Sequence, residues 1–209
     1  LPEEAPQSRL RVWTLKNGKT TEAELVTQMG DRLVLKTARG KVTKVPLSNF
    51  SAKDLHLIDL LNPPDLKIVF KRDTAKFKVL DNPLLQASAP KAFEFTGGVE
   101  VKQLDMKEYP HPLKLEMYVI LDEYNGDNYI LMDRQTRTFK LTSENGKCFE
   151  LEGEKKILRR YENYDGYLRG EKYKGHMILA YDERGELIAQ NLSHDWLLDI
   201  VDKLRTFPV

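Results

Sequence analysis

The side chains best suited to acid–base or metal chemistry are widely separated in this sequence. The four histidines are His56, His111, His176 and His194. No two of them have the two- or four-residue spacing that places ligands on one face of a strand or helix, so a local zinc motif is absent. We therefore predict no metal site and no bound cofactor. A site assembled from distant loops is left open by this argument.

Nucleophilic and phosphate-binding chemistry also lacks a sequence signal. The single cysteine, Cys148, follows a turn and begins a strand-like segment, so we predict a half-buried structural residue. The common phosphate-loop, dinucleotide-binding and hydrolase-elbow motifs are absent. Residues 125–128 offer oxygen ligands, but no glutamate follows at the EF-hand distance, so they predict a turn. We expect no catalytic residues and a protein that is not an enzyme.

Tyrosine is concentrated in one segment near the end of the chain. Five of the nine tyrosines lie within residues 161–181, interleaved with arginine and lysine. Tyrosine supplies rigid apolar area with a polar tip, so this pattern favours a surface that contacts a protein or stacks on sugar rings. Ordinary cross-strand tyrosine pairs explain the same pattern without a ligand. The candidate binding residues in this segment are Tyr161, Tyr164, Tyr167 and Tyr173.

Charge and hydropathy exclude two classes of partner. The 33 Lys+Arg residues and 32 Asp+Glu residues give the 209-residue chain a net charge of +1. So weak a charge does not attract nucleic acid by counterion release, and we predict no nucleic-acid partner. No apolar run approaches the roughly 18 residues that a membrane-spanning helix needs, so we predict no membrane span.

Four short β-patterned segments precede a helix signal in the first part of the chain. Asn17-Gly18 predicts a type I′ hairpin turn, which needs positive φ at both central residues. Pro46 ends the fourth segment because proline has no N–H to donate. Ser51, with Asp54 three residues later, predicts the N-cap of a short helix that ends at Leu61.

Together these signals predict the organisation of the first part of the chain. Four strands and one closing helix predict an SH3-like small barrel over residues 9–61. The Pro- and Glu-rich residues 1–8 predict a flexible tail, and the prolines within residues 62–65 predict a linker.

The barrel segment carries the motif order of a known module. The matching residues are Trp13, Gly18, Glu22-Ala23, Leu35, Gly40, Val45-Pro46-Leu47, Ser51 and Asp54. This order resembles the first homology domain of the yeast endocytic actin-assembly adaptor, copies of which recur in uncharacterised exported bacterial proteins. The resemblance covers residues 9 to about 58 and implies an SH3-like fold that binds peptides or proteins. Phe50 departs from it, since the family usually has leucine there. We name Trp13 and Phe50 as candidate binding residues, with a core position as the alternative for Trp13.

The remaining residues, 66–209, predict a second, mostly antiparallel β domain that resembles a sandwich. Strand-like segments alternate with turn signals every 8 to 15 residues. Gly97-Gly98 is expected to break one strand into two. Apolar residues at helical spacing predict a C-terminal helix over residues 193–205, with Ser193 as its N-cap.

These observations favour a non-catalytic protein- or peptide-binding scaffold. The chain begins without methionine, as a chain does after signal-peptide removal, so we expect an exported bacterial protein of the periplasm, envelope or medium. One alternative is a carbohydrate-binding module that uses the aromatic cluster Tyr161–Tyr181, with a glycan as partner. Another is a hydrolase with a site between the domains.

Overall fold

The computed structural model describes residues 10–78 and 91–209, so the tail predicted at residues 1–8 lies outside the described residues. The chain divides into two compact units between Asn62 and Pro63. Strands contain 56% of the described residues and helices 13%, which confirms the mostly β prediction. No helix of the described residues is long and apolar enough to cross a bilayer.

The first unit is a four-stranded antiparallel sheet followed by a helix, with strand order β1-β2-β3-β4. Its elements are β1 (Arg11–Thr14), β2 (Thr20–Met29), β3 (Arg32–Thr37), β4 (Val42–Pro46), a 3-10 helix (Leu47–Asn49) and α1 (Ala52–Leu61). After β4 the chain returns to β1, where Leu15 forms a bridge with Phe50 and the Ser51 N–H donates to the Thr14 carbonyl at 2.9 Å. This return closes the sheet into the predicted SH3-like barrel.

The first hairpin turn differs from the predicted type I′ turn. Gly18 has a φ of +78°, whereas Asn17 is not left-handed. The Gly18 N–H donates to the Leu15 carbonyl at 2.9 Å and the Leu15 N–H donates to the Lys19 carbonyl at 2.8 Å, so three residues form the loop. A three-residue loop needs positive φ only at its last position. The same two hydrogen bonds recur at three further left-handed glycines: Gly40, Gly166 and Gly185.

The second unit is an eight-stranded antiparallel sheet with a short C-terminal helix. Its elements are β5 (Leu66–Lys78), β6 (Lys91–Gln103), β7 (Leu113–Glu123), β8 (Tyr129–Phe139), β9 (Cys148–Glu152), β10 (Lys156–Glu162), β11 (Leu168–Tyr181), β12 (Leu187–Leu192), a 3-10 helix (Asp195–Ile200) and α2 (Val201–Thr206). The strand order is β5-β6-β10-β11-β7-β8, and β9 pairs with β6 while β12 pairs with β11.

The sheet of the second unit folds over to form two layers. Phe70 on β5 stacks on His176 of β11 with ring centroids 4.0 Å apart. Phe139 on β8 stacks on Phe149 of β9 at 4.2 Å. One core lies among Phe95, Val119, Leu121, Met132 and Leu158, and Phe70 packs against it. A second core lies where the C-terminal helical segment covers β7, β8 and β11.

The predicted strand break at Gly97-Gly98 is wrong, because β6 runs through both glycines. A Cβ at Gly97 would lie 3.2 Å from the Phe70 ring, and a Cβ at Gly98 would lie 3.0 Å from the Leu151 carbonyl oxygen. The lack of a side chain at the two glycines therefore lets the Phe70 ring and the Leu151 carbonyl lie close to β6, which continues without a break.

The C-terminal helix is present but shorter than predicted. Its first part is the 3-10 helix, and only Val201–Thr206 is α-helical. Ser193 is not its N-cap, so that prediction is wrong. The Ser193 hydroxyl instead accepts from the His176 N–H at 2.8 Å and donates to the His176 carbonyl at 3.1 Å. These bonds engage the hydroxyl with β11, away from the helix N–H groups.

Candidate functional site

Trp13 and Phe50 form the centre of the first unit's core. Their side chains are 1% and 0% exposed, and the two rings meet edge to face at a centroid distance of 6.0 Å. The Trp13 indole N–H donates to the Ala23 carbonyl at 2.9 Å, which satisfies its buried polar group. Buried rings present no surface to a ligand. In this structure Trp13 and Phe50 therefore have a structural role in the core instead of the predicted binding role.

Asp54 joins the start of α1 to β1. Its buried carboxylate accepts from the Thr14 N–H at 2.7 Å and from the Ser51 hydroxyl at 3.0 Å. Ser51 in turn accepts from the Asp54 N–H at 3.2 Å, which confirms Ser51 as the N-cap. Arg11 lies 3.7 Å from the other carboxylate oxygen. The Ser-x-x-Asp motif is therefore a structural link within the barrel.

The four candidate tyrosines do not form one surface. Tyr164 and Tyr167 are 62% and 57% exposed and lie together at the turn between β10 and β11. Tyr161 is half-buried on β10, opposite Arg169. Tyr173 packs against the interior core of the second unit. Of the four tyrosines, only Tyr164 and Tyr167 thus have more than half of their area exposed.

Tyr173 belongs to a hydrogen-bonded chain with His176 and Asn191 that the sequence did not indicate. The Tyr173 hydroxyl lies 2.6 Å from His176 Nδ1, and His176 Nε2 lies 2.6 Å from Asn191 Oδ1. The Asn191 amide nitrogen donates to the Ile68 carbonyl at 2.9 Å, so its oxygen faces the imidazole. Nε2 therefore carries the proton, and Nδ1 accepts from the tyrosine hydroxyl.

This arrangement fits a neutral imidazole with a structural role. Burial lowers the pKa of His176 below its ordinary value, although the hydrogen bond to Asn191 raises it. Because both ring nitrogens are engaged, neither is open to take a proton from a substrate. The side chains link β5, β11 and β12.

A second polar cluster surrounds Glu116, whose side chain is buried on β7. It accepts from Lys114 at 2.6 Å, from the Tyr118 hydroxyl at 3.0 Å and from Arg205 at 3.0 and 3.1 Å. Burial pushes the pKa of Glu116 up, but these hydrogen bonds outweigh it and hold the pKa below its ordinary value. The cluster ties α2 to β7. A charged residue inside the apolar run of β7 was the sequence signal for it.

An open depression of about 460 Å³ lies over the Glu116 cluster. Lys114, Glu116, Tyr181, Gly185 and Arg205 line it. Arg205 also donates to the Tyr181 hydroxyl at 2.8 Å. The two cations here are neutralised by the buried carboxylate and by Asp202, which lies 3.0 Å from Arg205. The depression therefore has little net charge to select an ionic ligand.

Neither unit taken alone gathers, among its described residues, the side chains that thiol or metal chemistry would use. Cys148 is half-buried at the start of β9, as predicted. Within either unit taken alone, the described part of the chain brings no three histidine, cysteine or carboxylate side chains within metal-binding reach of one another. That the protein uses no metal or cofactor stays a prediction.

Comparison with known proteins identifies the first unit. Residues 2–63 match the family model of SLA1 homology domain 1, SHD1. No curated protein matches the chain. Among solved structures, a crystal structure from Akkermansia muciniphila is similar at 14% identity, with a TM-score of 0.21 over 70% of this chain and 79% of that chain. So low a TM-score carries no argument, and the family is shown for the first unit only.

The SHD1 unit exposes apolar side chains on the outer face of its sheet. Met29 pairs with Arg32, and Val42 pairs with Lys36. Arg32 and Lys36 alternate along β3 with the core residue Leu33, so these pairs lie on the face opposite the core. Met29 and Val42 are 55% and 56% exposed. We define the outer-face patch by Met29, Lys36, Val42 and Lys44, which the register places on this side of the sheet, together with Val26, the exposed residue at the bulge of β2.

Proposed function

We propose that this protein is a non-catalytic protein- or peptide-binding scaffold of the bacterial cell envelope. The observation that carries the proposal is the SHD1 unit, since SHD1 is a protein-interaction domain. The unit has its own core, built around Trp13 and Phe50, and is joined to a second compact unit. A small domain with its own core, joined to a larger one, suits a role in holding a partner.

The outer-face patch is the surface that we assign to the partner of the SHD1 unit. Three apolar side chains, Val26, Met29 and Val42, are each more than half exposed there. Single exposed apolar residues are common, but several on one sheet face favour an interaction surface. On this face Arg32, Lys36 and Lys44 outnumber the acid Glu24, which lies opposite Lys36. An apolar peptide with acidic residues is therefore the expected ligand.

Peptide display against the full chain tests this proposal. We expect selected peptides to bind with affinities that fall about tenfold in Met29→Glu and in Val42→Glu, because each change places a carboxylate in an apolar contact worth about 1–2 kcal/mol. Both residues are exposed, so the variants are expected to fold. Leu187→Glu, at an apolar residue of the second unit that is 44% exposed, is the matched control.

Two outcomes would contradict the proposal. One is that no peptide is selected by the full chain. The other is that selected peptides bind both patch variants as tightly as the control. The envelope location is tested separately by fractionating cells that express the native gene and detecting the protein in each compartment.

A carbohydrate-binding function is the second candidate, because Tyr164 and Tyr167 are both exposed at one turn. Tyrosine rings at a turn can stack on sugar rings. Glycan-array binding that is lost in Tyr164→Ala and Tyr167→Ala but kept in the phenylalanine variants would favour it. The hydrolase alternative stays a prediction.

A further inference from the structure

Cationic and aromatic side chains alternate across one face of the second unit's sheet. Arg160 lies opposite Gly170, whose carbonyl accepts from the Tyr124 N–H at 2.9 Å. In the next row, Lys172 lies opposite Asp122, which lies opposite Tyr129. We define the cationic strip by the side chains on this face: Arg160, Tyr124, Lys172, Asp122, Lys174, Tyr129 and Trp196.

The aromatic rings of the cationic strip hold its cations in place. Arg160 and Lys172 each lie 5.3 Å from the centre of the Tyr124 ring. Lys174 lies 5.4 Å from the centre of the Tyr129 ring, which also stacks on Trp196 at 5.3 Å. Cation–π contacts of this length restrict long flexible side chains, which reduces the entropy lost when a ligand binds them.

The cationic strip has an excess of positive charge. Lys172 pairs with Asp122 at 3.3 Å. Arg160 and Lys174 form no ion pair with any acid in the described ranges 10–78 and 91–209. The neighbouring Glu171 lies opposite Glu123 in the strand register. Because side chains alternate along a strand, Glu171 and Glu123 point to the face opposite Lys172. Strand alternation thus separates Glu171 from Lys172, its neighbour in sequence.

The geometry indicates which anionic ligand fits. Tyr124 and Tyr129 already contact cations or the indole, so their ring faces are poorly available for stacking on sugars or bases. What the cationic strip offers is charged N–H donors from two strands: Arg160 on β10, and Lys172 and Lys174 on β11, where a bulge lies between Tyr173 and Gly175. Positions two residues apart in a strand are about 6.6 Å apart, which is also the repeat of same-side side chains in an extended peptide.

We propose that the cationic strip binds an extended peptide with acidic residues at alternate positions. The carboxylates of the peptide would pair with Arg160, Lys172 and Lys174 in turn. This site lies in the second unit and is independent of the outer-face patch on the SHD1 unit. The protein would then hold two polypeptide segments, one on each unit.

Fluorescence anisotropy of a short labelled peptide of alternating glutamate and serine, added to the full chain, tests the proposal. We expect binding that weakens as salt rises from about 0.05 to 0.5 M, because the contacts are exposed ion pairs. Arg160→Gln and Lys174→Gln should each weaken binding about threefold. Asp122→Asn should strengthen it about threefold, because it releases Lys172 from its partner.

Matched controls make the result specific. Lys67→Gln removes one exposed cation of the same unit outside the cationic strip and should leave binding unchanged. A peptide of alternating glutamine and serine should not bind. The proposal is overturned if the acidic peptide fails to bind at low salt, if Lys67→Gln weakens binding as much as Lys174→Gln, or if polygalacturonate or oligothymidylate binds the cationic strip more tightly than the peptide. None of these results bears on the outer-face patch.

Discussion

Trp13 and His176 illustrate how the surroundings of a side chain determine its role. An aromatic ring on a half-buried strand can face a ligand or the core, and the alternation of β1 places Trp13 inside. His176 has the chemistry of a general base, but Tyr173 and Asn191 occupy both of its nitrogens. Residue type alone therefore overstates the functional potential of both positions.

Titration of His176 should make the second unit less stable in mild acid. Burial lowers the pKa of the folded imidazole below 6.5, the value of the unfolded chain, so the unfolded state binds more protons as pH falls. The stabilising contribution is complete above pH 6.5 and is lost as the pH falls through the folded pKa. Besides burial, the electrostatic effect of nearby His194 also lowers the pKa of His176.

Two measurements check this prediction. The NMR titration midpoint of His176 is expected below 6.5. In urea unfolding, the free energy of unfolding of His176→Phe should fall less than that of the wild type between about pH 7 and pH 5. At neutral pH the variant should be less stable than the wild type by about 1–3 kcal/mol, because Tyr173 and Asn191 lose their hydrogen-bond partner. A midpoint at or above 6.5 would contradict the prediction.

At the scale of secondary-structure elements, glycines determine where strands approach one another. Gly170, in β11, has a φ of +107°, and a Cβ there would lie only 1.7 Å from the Arg159 carbonyl oxygen of β10. Gly185, in the turn before β12, has a φ of +82° but no heavy atom within 4 Å of the same position. The first glycine is required by a steric contact and by its backbone angle, and the second by its angle alone.

Alanine substitution separates these two requirements. Gly170→Ala should destabilise the protein by about 3 kcal/mol or more, because it adds a backbone clash to the strain of the left-handed conformation. Gly185→Ala, the matched control, should cost about 1 kcal/mol. Urea unfolding followed by circular dichroism measures both. Equal losses in the two variants would show that the approach of β10 to β11 is not tight.

Among the described residues, three hydrophobic clusters have no residue in common. The core of the SHD1 unit consists of Trp13, Ala23, Leu33, Leu35, Phe50 and Ile58. The second unit has one core between its layers and another under the C-terminal helical segment. Stability can therefore change in one unit through substitutions that leave the packing of the other intact.

Hydrogen exchange of core variants tests this separation. Phe50→Ala should lower the unfolding free energy of the SHD1 unit by about 3–5 kcal/mol, because it leaves a cavity where a fully buried ring was. Amide protection is expected to fall within residues 10–62 and to persist in β7. Leu197→Ala, in the core under the C-terminal segment, should give the reverse pattern. Equal loss of protection in both units after Phe50→Ala would contradict the prediction.

Local signals in the sequence predicted much of the first unit. The strand β3, the start of β2 and the N-cap at Ser51 depend on alternation and on hydrogen bonds within a few residues, so they were visible in advance. Gly18 was recognised as a turn glycine, but the loop length was not, because a two- and a three-residue loop place similar demands on that glycine.

The candidate sites depended more on contacts between distant residues. The cationic strip joins Arg160, Tyr124 and Trp196, which lie on three different segments. The sequence placed the acids and bases of the tyrosine segment side by side, and only the cross-strand register shows which of them share a face.

The sequence by itself determined that the chain is mostly β, that it begins with an SHD1-type barrel, and that no local catalytic or metal motif is present. These properties follow from composition, alternation and short-range motifs, each of which acts over a few residues. Tertiary structure alone decided that Trp13 and Phe50 are buried, that His176 is engaged on both sides, and that cations gather on one face of β11. The reason is physical: strand register and the folding of one layer over another are fixed by the burial of apolar surface across the whole unit, and this burial involves residues that the sequence keeps far apart.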